Sequence, residues 1–270
     1  MPRTLPYYVV DAFTTRPFAG NPAAVIPLAG WLPDELLQQI AGELALSETA
    51  FVMREADGLR LRWLTPTTEV DLCGHATLAS ALVWMDEVEP GTTRVRFATR
   101  SGPLEVERDG ERLVLDLPAR VAEPVADPAL VAAVAEAIGV PVVELWRSRN
   151  LMAVVADAAA VRALAPELRR VGALPTEGLI VTAPGAGDRD GDVDLVSRYF
   201  TPQHGVDEDP VTGSAHCTLG PYWAARLGRT TLAARQVSRR GGELAVTVAG
   251  DRVRLGGHGV LVARGELRLP

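Results

Sequence analysis

Arg62-Trp63-Leu64-Thr65-Pro66, followed within a few residues by Cys73-Gly74-His75-Ala76, returns half a chain later as Arg198-Tyr199-Phe200-Thr201-Pro202 and Gly213-Ser214-Ala215. Each copy has the same physical form: an alternating strand, a Thr-Pro turn, an acidic stretch, then a glycine opening an apolar helix. In a chain of 270 residues this makes two related halves. A helix start presents unpaired N–H groups and the positive end of the peptide dipole, so it attracts carboxylate or phosphate oxygens. Two such starts facing one cleft would grip one small anion.

Upstream of the first copy, Tyr7 to Phe13 alternates as a strand, and Gly20-Asn21-Pro22 turns into the apolar run Ala23 to Ile26. Pro33-Asp34-Glu35 opens a helix to about Leu44, with proline and acids in the first turn. Ser47-Glu48-Thr49 then forms a tight link to the strand Ala50 to Met53, and Leu59 to Leu64 alternates as a half-exposed strand. His75 to Met85 is apolar nearly all round, which predicts a helix buried on every side. Strand-like runs follow to Leu117, and the aperiodic stretch Pro118 to Pro128 marks a domain boundary. The expected domains are 1–118 and 119–270, with the last strand, about 259–270, free to pack back on the first half.

The second half repeats the plan: a helix over Pro128 to Ile138, a helical piece over Ala158 to Leu168, and a second buried helix from Ser214 to about Leu227. Pro221 should kink that helix or delay its first regular turn. Its strands are expected near Val142 to Trp146, Met152 to Val155, Gly178 to Thr182, Val193 to Phe200, Gln236 to Ser238, Leu244 to Val248, Arg252 to Leu255 and Val260 to Leu267. The expected fold class is α+β, with two pseudo-symmetric domains. Each is a barrel-like, mostly antiparallel sheet around a central buried helix.

Apolar residues make up 47% of the chain, enough for a sizeable core. With 27 basic and 34 acidic residues, a net charge of −7 and no basic run longer than a pair, nucleic acid and anionic membrane surfaces are not expected partners. The longest apolar stretch, Ala129 to Val143, is cut by Glu136 and Pro141, so no membrane span or secretory segment is expected. Cys73 and Cys217 are the only cysteines, which indicates no disulfide framework and points to the cytoplasm. All 27 basic residues are arginine. Without a primary amine on any side chain, Schiff-base chemistry through lysine is excluded, and so is a Gly-Lys-Ser/Thr phosphate loop.

Glu48 is the carboxylate best placed to act as a general base, because partial burial between an apolar helix and an apolar strand would raise its pKa toward the range useful for proton transfer. The competing reading is a turn glutamate that caps the N–H groups after it. In the second copy Asp207-Glu208-Asp209-Pro210 precedes Gly213 and is three residues longer than the matching Glu69-Val70-Asp71. Acids there can simply offset the helix dipole. His75 and Ser214 follow the two glycines as side-chain donors. Asp188, Asp190, Asp192 and Asp194 alternate as in a calcium loop, yet Val193 and Tyr199 occupy its glycine and glutamate positions, so a solvated hairpin is expected. Cys73, His75, His216 and Cys217 lack zinc-ligand spacing, and no metal is expected.

Asp11-Ala12-Phe13 with Gly20-Asn21-Pro22-Ala23-Ala24-Val25, Leu46-Ser47-Glu48-Thr49-Ala50-Phe51-Val52, Glu69-Val70-Asp71-Leu72-Cys73-Gly74-His75-Ala76-Thr77, and Asp207-Glu208-Asp209-Pro210-Val211-Thr212-Gly213-Ser214-Ala215-His216-Cys217 together resemble the phenazine biosynthesis PhzF-like family. The resemblance implies a diaminopimelate epimerase-like fold, an active site between two similar domains, a homodimer and no cofactor. It implies that Glu48 shuttles a proton on a carbon acid with help from His75 and Asp209. Asn21, Ser47, Cys73, Gly74, Gly213 and Ser214 would bind the substrate.

The wider fold includes racemases with a cysteine beside each helix start. Here Cys73 holds the first place but Thr212 the second. One thiol cannot deliver protons to two faces, so the expectation is a cofactor-independent isomerase that shifts a double bond in a small carboxylate-bearing substrate. The alternatives are a non-catalytic ligand-binding or interaction protein on the same fold, and a Cys73-dependent epimerase, which mild alkylation would inactivate.

Overall fold

The structure is a computed structural model that describes residues 4–185 and 193–269. The chain forms two compact units, one of Met1–Asp116 with Gly256–Pro270 and one of Leu117–Leu255. The fold is mixed α and β, rich in strands and poor in helix.

The first unit contains β1 (Thr4–Ala12), β2 (Asn21–Leu28), β3 (Glu48–Glu55), β4 (Gly58–Leu64), β5 (Glu69–Val70), β6 (Arg94–Thr99), β7 (Gly102–Asp109), β8 (Arg112–Pro118) and the terminal β18 (Gly259–Arg268). β18 runs antiparallel to β1 and β1 to β2, β2 and β3 are parallel, and β3 and β4 antiparallel. β4 then pairs antiparallel with short β5 and parallel with β6, before β6, β7 and β8 close as an antiparallel meander. Helix α1 (Asp34–Leu44) covers one side through Leu37, Ile40 and Ala41, packed with Ile26, Leu28, Phe51 and Leu64. Its amphipathic pattern comes directly from the apolar spacing.

Helix α2 (Gly74–Val83) has every residue buried and runs on as a π-helical turn, Trp84–Val88. It packs against β1, β2, β3, β7 and β18. Such a helix must satisfy its own polar side chains internally. Thr77 Oγ1 donates to Cys73 O at 2.5 Å and Ser80 Oγ to Ala76 O at 2.7 Å.

The second unit contains β9 (Glu123–Pro124), β10 (Glu144–Arg147), β11 (Leu151–Val154), β12 (Leu179–Pro184), β13 (Leu195–Thr201), β14 (Val206–Asp209), β15 (Thr231–Gln236), β16 (Gly242–Ala249) and β17 (Arg252–Gly257). Helices α3 (Pro128–Ile138), α4 (Ala158–Ala163), α5 (Leu168–Gly172) and α6 (Gly213–Leu227) complete it. β9 pairs antiparallel with β10 and β10 with β11, β11 and β12 are parallel, and β12 and β13 antiparallel. β13 pairs antiparallel with short β14 and parallel with β15, and β15 antiparallel with β16. Strand for strand, this is the order followed from β18 through β7 in the first unit.

Several boundaries differ from expectation. The strand expected at Gln236 to Ser238 is instead β15, ending at Gln236, because residues 231–236 align side by side with 242–247 of β16. The helical piece over Ala158 to Leu168 divides into α4 and α5, since Pro166 lacks a donor and biases Ala165 away from helical geometry. Pro221 does not delay α6, which is continuous from Gly213 to Leu227, and the helix is buried only in its first part, its last residues 225–227 being exposed where a helix buried throughout was expected. The missing Pro221 N–H would have bonded the Cys217 carbonyl, and Arg120 N–H bonds that carbonyl at 2.9 Å instead. No helix among the described residues is long and apolar enough to cross a membrane.

Gly20 is required by geometry. Its φ is +65°, and a Cβ there would stand 2.2 Å from Ala12 O. The tight return lets Asn21 pair with Ala12 and enter β2 as its first residue, where a turn was expected. Gly20→Ala is therefore expected to lower stability by roughly 1–3 kcal/mol or more through strain and the forced shift of the 12–21 return. A thermal melt checks this, and an unchanged midpoint would refute it.

Candidate active site

Glu48 is the first residue of β3, not a link residue, and stands in register with Ala23 of β2. Asn21 lies two positions before Ala23 on β2, so the parallel β2–β3 pair places both side chains at one sheet end. Asn21 is fully buried. His75 reaches them from the first turn of α2, whose N-cap is Cys73 in extended conformation. His75 Nε2 lies 3.1 Å from Glu48 Oε2, and His75 Nδ1 lies 3.0 Å from Asn21 Nδ2 and 3.5 Å from Cys73 Sγ. The Glu48 side chain is 19% exposed while that of His75 is 5% exposed. The carboxylate is thus the member of the pair that an incoming molecule can touch.

The environment sorts the protons. Burial, and after it the Glu48 charge, push the Cys73 thiol up to about 11, even though His75 and the Ala76 N–H pull the other way. Cys73 is therefore a thiol at neutral pH and a poor nucleophile. Burial opposes charge on His75, and because Cys73 keeps its proton, the neighbouring Glu48 carboxylate is what favours the imidazolium and holds it above the usual histidine value. Rotating the Asn21 amide by half a turn exchanges the atom facing Nδ1 between a donor and an acceptor. One orientation suits neutral His75, with Nε2–H donating to Glu48, and the other suits the imidazolium. Glu48, Cys73 and His75 place possible ligand atoms within 4.8 Å of one another. A metal there would have to displace the protons of Cys73 and of one imidazole nitrogen.

Ser47 is half-buried just before Glu48, and Gly74 is buried at the first position of α2. In the second unit Gly213 is buried and Ser214 half-buried at the corresponding end of α6. The acidic run there is not a cluster. Asp207 is exposed, Glu208 forms a fork with Arg198 at 2.7 and 2.9 Å, and Asp209 accepts from Thr212 Oγ1.

The same fork joins Arg62 to Glu69 at 2.8 and 2.7 Å, so Glu69 corresponds to Glu208. Register agrees: Trp63 faces Val70 as Tyr199 faces Asp209. The three extra residues of the second copy thus lie earlier than expected, in the 3-10 turn Pro202–His204 and Gly205. Asp209 replaces a valine, and Thr212 replaces Cys73.

His216 and Cys217 are occupied within α6. His216 Nδ1 donates to Thr212 O at 2.8 Å and Cys217 Sγ to Gly213 O, with His216 pushed down to about 4 by burial. Both cysteines are free. Of the alternating aspartates, Asp188, Asp190 and Asp192 lie outside the described residues, while Asp194 accepts from Ala233 N and pairs with Arg229.

Two contributors escaped the sequence reading. Buried Asp11 accepts the Phe18 N–H at 2.7 Å and braces the return leading to Asn21. Gln236, fully buried, binds Asp209 O and Thr212. The Asp-Ala-Phe motif held a signal for Asp11, since an aspartate in an apolar strand needs a donor. A glutamine at a strand end carried none.

A family model described as phenazine biosynthesis-like protein matches residues 10–265. An uncharacterized isomerase of Pseudomonas aeruginosa is 50% identical over 98% of this chain and 99% of its own length. A crystal structure of a phenazine biosynthesis protein PhzF family member from Enterococcus faecalis is 43% identical, with a TM-score of 0.94 over 99% of this chain and 100% of that one. A predicted epimerase from Pseudomonas aeruginosa, 26% identical, gives a TM-score of 0.73 over 97% and 99% of the two chains.

Removing the imidazole isolates its contribution. With its pKa raised in the folded state, His75 contributes stability that is complete below the unfolded value of about 6.5 and disappears as pH rises through the folded value. His75→Gln should therefore be less stable than the parent between roughly pH 5 and 6.5, with the gap closing in alkali. Melting curves of both proteins across pH test this. A gap that widens with rising pH would contradict it.

Proposed function

Because this chain belongs to the phenazine biosynthesis-like protein family and is, at the level of that family, an isomerase, we propose that it shifts a double bond in a small carboxylate-bearing molecule by proton transfer, without a cofactor. The observation that carries this reading is the Glu48 carboxylate, partly exposed and 3.1 Å from a histidine whose pKa is raised.

In the proposed cycle Glu48 takes a proton from a carbon beside the substrate's unsaturated system, and the electron pair of the broken C–H bond spreads into that system. The carboxylic acid so formed returns the proton to a different carbon on the same face, leaving substrate and product with the same atoms. His75 steadies the charge on Glu48 and relays its proton, and Asn21 accommodates both protonation states of the imidazole through its amide. The Gly74 N–H, with Ser47, would hold the substrate carboxylate and the charge that develops on it, while Asn21, expected among the substrate-binding residues, is buried against His75 and acts through it. Asp209, Gly213 and Ser214 are assigned to the same reaction from the second unit, each unit's curved sheet being read as barrel-like around its buried helix.

The racemase alternative is weakened by chemistry visible in each unit. Cys73 holds its proton up to about 11, and threonine stands at its counterpart. A threonine hydroxyl is far too weak an acid to replace a thiol.

Screening small aromatic and amino-acid-derived carboxylates for solvent deuterium incorporation tests the reading. Glu48→Gln is expected to reduce incorporation by about 100-fold or more while the protein remains folded by circular dichroism. Cys73→Ser should retain it. Undiminished exchange in Glu48→Gln would sink the assignment, and loss in Cys73→Ser alone would point to thiol chemistry.

A further inference from the structure

The two units carry one corresponding bond next to the starts of α2 and α6. In the first, Ser101 Oγ donates to Asp71 O at 2.5 Å, and in the second, Ser238 Oγ donates to Pro210 O at 2.8 Å. Each serine lies two residues beyond the end of a strand, β6 or β15, and each carbonyl lies just ahead of the helix start. The strand-end residues themselves differ. Thr99 turns its hydroxyl onto the neighbouring Gly102 carbonyl at 2.6 Å. Gln236 instead reaches across to the segment entering α6. Its Oε1 accepts the Thr212 N–H at 2.9 Å, and its Nε2 donates to Asp209 O at 2.7 Å and to Thr212 Oγ1 at 3.2 Å.

Those bonds determine the direction of a fourth. Asp209 Oδ2 lies 2.5 Å from Thr212 Oγ1. An amide NH2 can only donate, so the Thr212 oxygen must accept from Gln236, and the single hydroxyl proton is turned toward Asp209. A donor aimed at a carboxylate favours its charged form and one rotamer. Gln236 is fully buried with both ends of its amide engaged, a costly arrangement to keep unless it is fully satisfied. In the first unit the counterpart of Thr212 is Cys73, which instead faces His75.

We propose that Gln236 is a positioning residue for Asp209, acting through the Thr212 hydroxyl, and that Thr212 serves as a fixed hydrogen-bond donor, not as a second acid or base. The inference rests on the assignment of Asp209 to the proposed reaction. The geometric part can be tested without it.

Crystal structures of Gln236→Met, Thr212→Val and Thr212→Ser should show the Asp209 carboxylate turned or disordered in the first two and unmoved in the third, with the α6 backbone in place. In the deuterium-incorporation assay, Gln236→Met and Thr212→Val should each lose roughly 100-fold, a size typical of a misplaced catalytic group. The double variant should lose no more than either single one, because both remove the same hydrogen bond. Thr212→Ser should keep the rate near that of the parent, a rescue that a merely structural role would not produce.

An Asp209 carboxylate still bonded to Thr212 in Gln236→Met, or additive losses in the double variant, would overturn the proposal. If Gln236→Met does not fold, an Asp209 that stays in place in Thr212→Val overturns it equally. If the parent exchanges no acid at all, the isomerase reading falls and the crystal structures alone decide on the clamp.

Discussion

Burying α2 on every side is the constraint from which the first unit's chemistry follows. A helix can be wholly buried only if its apolar surface meets sheet all round and its polar side chains find partners within reach. Thr77 and Ser80 turn back onto the carbonyls of their own helix. The remaining polar side chain, His75, stands at the end where helix N–H groups are unpaired, and strands β2 and β3 present Asn21 and Glu48 there. The reactive cluster is thus the polar closure of an apolar core. It is rigid for the same reason the core is.

The two units share a strand order, and the side chains at which they depart from one another lie at the helix starts. Arg62 and Glu69, like Arg198 and Glu208, join a long strand to the short strand that leads into a buried helix. A bidentate fork fixes both position and angle, which an exposed single ion pair does not. Each arginine also lies over an aromatic ring, Trp31 in one unit and Phe200 in the other. With the frame held this way, side chains between the fork and the helix can diverge without loss of the entry geometry. Val70 against Asp209 and Cys73 against Thr212 are divergences of that kind.

Much of this was legible in residue order. The apolar run after Gly74 announced a buried helix, and the repeated Arg-to-Thr-Pro segment announced a second copy. Glu48 stands out in the sequence because a carboxylate flanked by apolar segments needs an explanation, and the structure places it beside His75. Position along the chain was less legible. The three extra residues of the second copy seemed to enlarge its acidic run, since spacing alone cannot show that Glu208 is held by Arg198 and therefore corresponds to Glu69. Gln236 was invisible for a similar reason: its partners lie more than twenty residues away, and no local pattern marks a glutamine that closes on distant backbone. Pro221 reads locally as a kink or a delayed turn because the bond from Arg120 to the Cys217 carbonyl is also long-range.

The comparison of the two helix starts bears on mechanism more than either start alone. At α2, the groups beside the N-cap include a partly exposed carboxylate, a histidine with an amide partner suited to either of its charge states, and a thiol that keeps its proton. A change on Glu48 can be met there by His75, and a change on His75 by half a turn of the Asn21 amide. At α6 the corresponding hydroxyl is held from two sides and its proton has one destination. A site meant to exchange protons needs degenerate hydrogen bonding, and a site meant to hold charge in place needs the opposite. The first unit has the former kind of hydrogen bonding and the second the latter, and the proposed one-carboxylate reaction draws on that contrast.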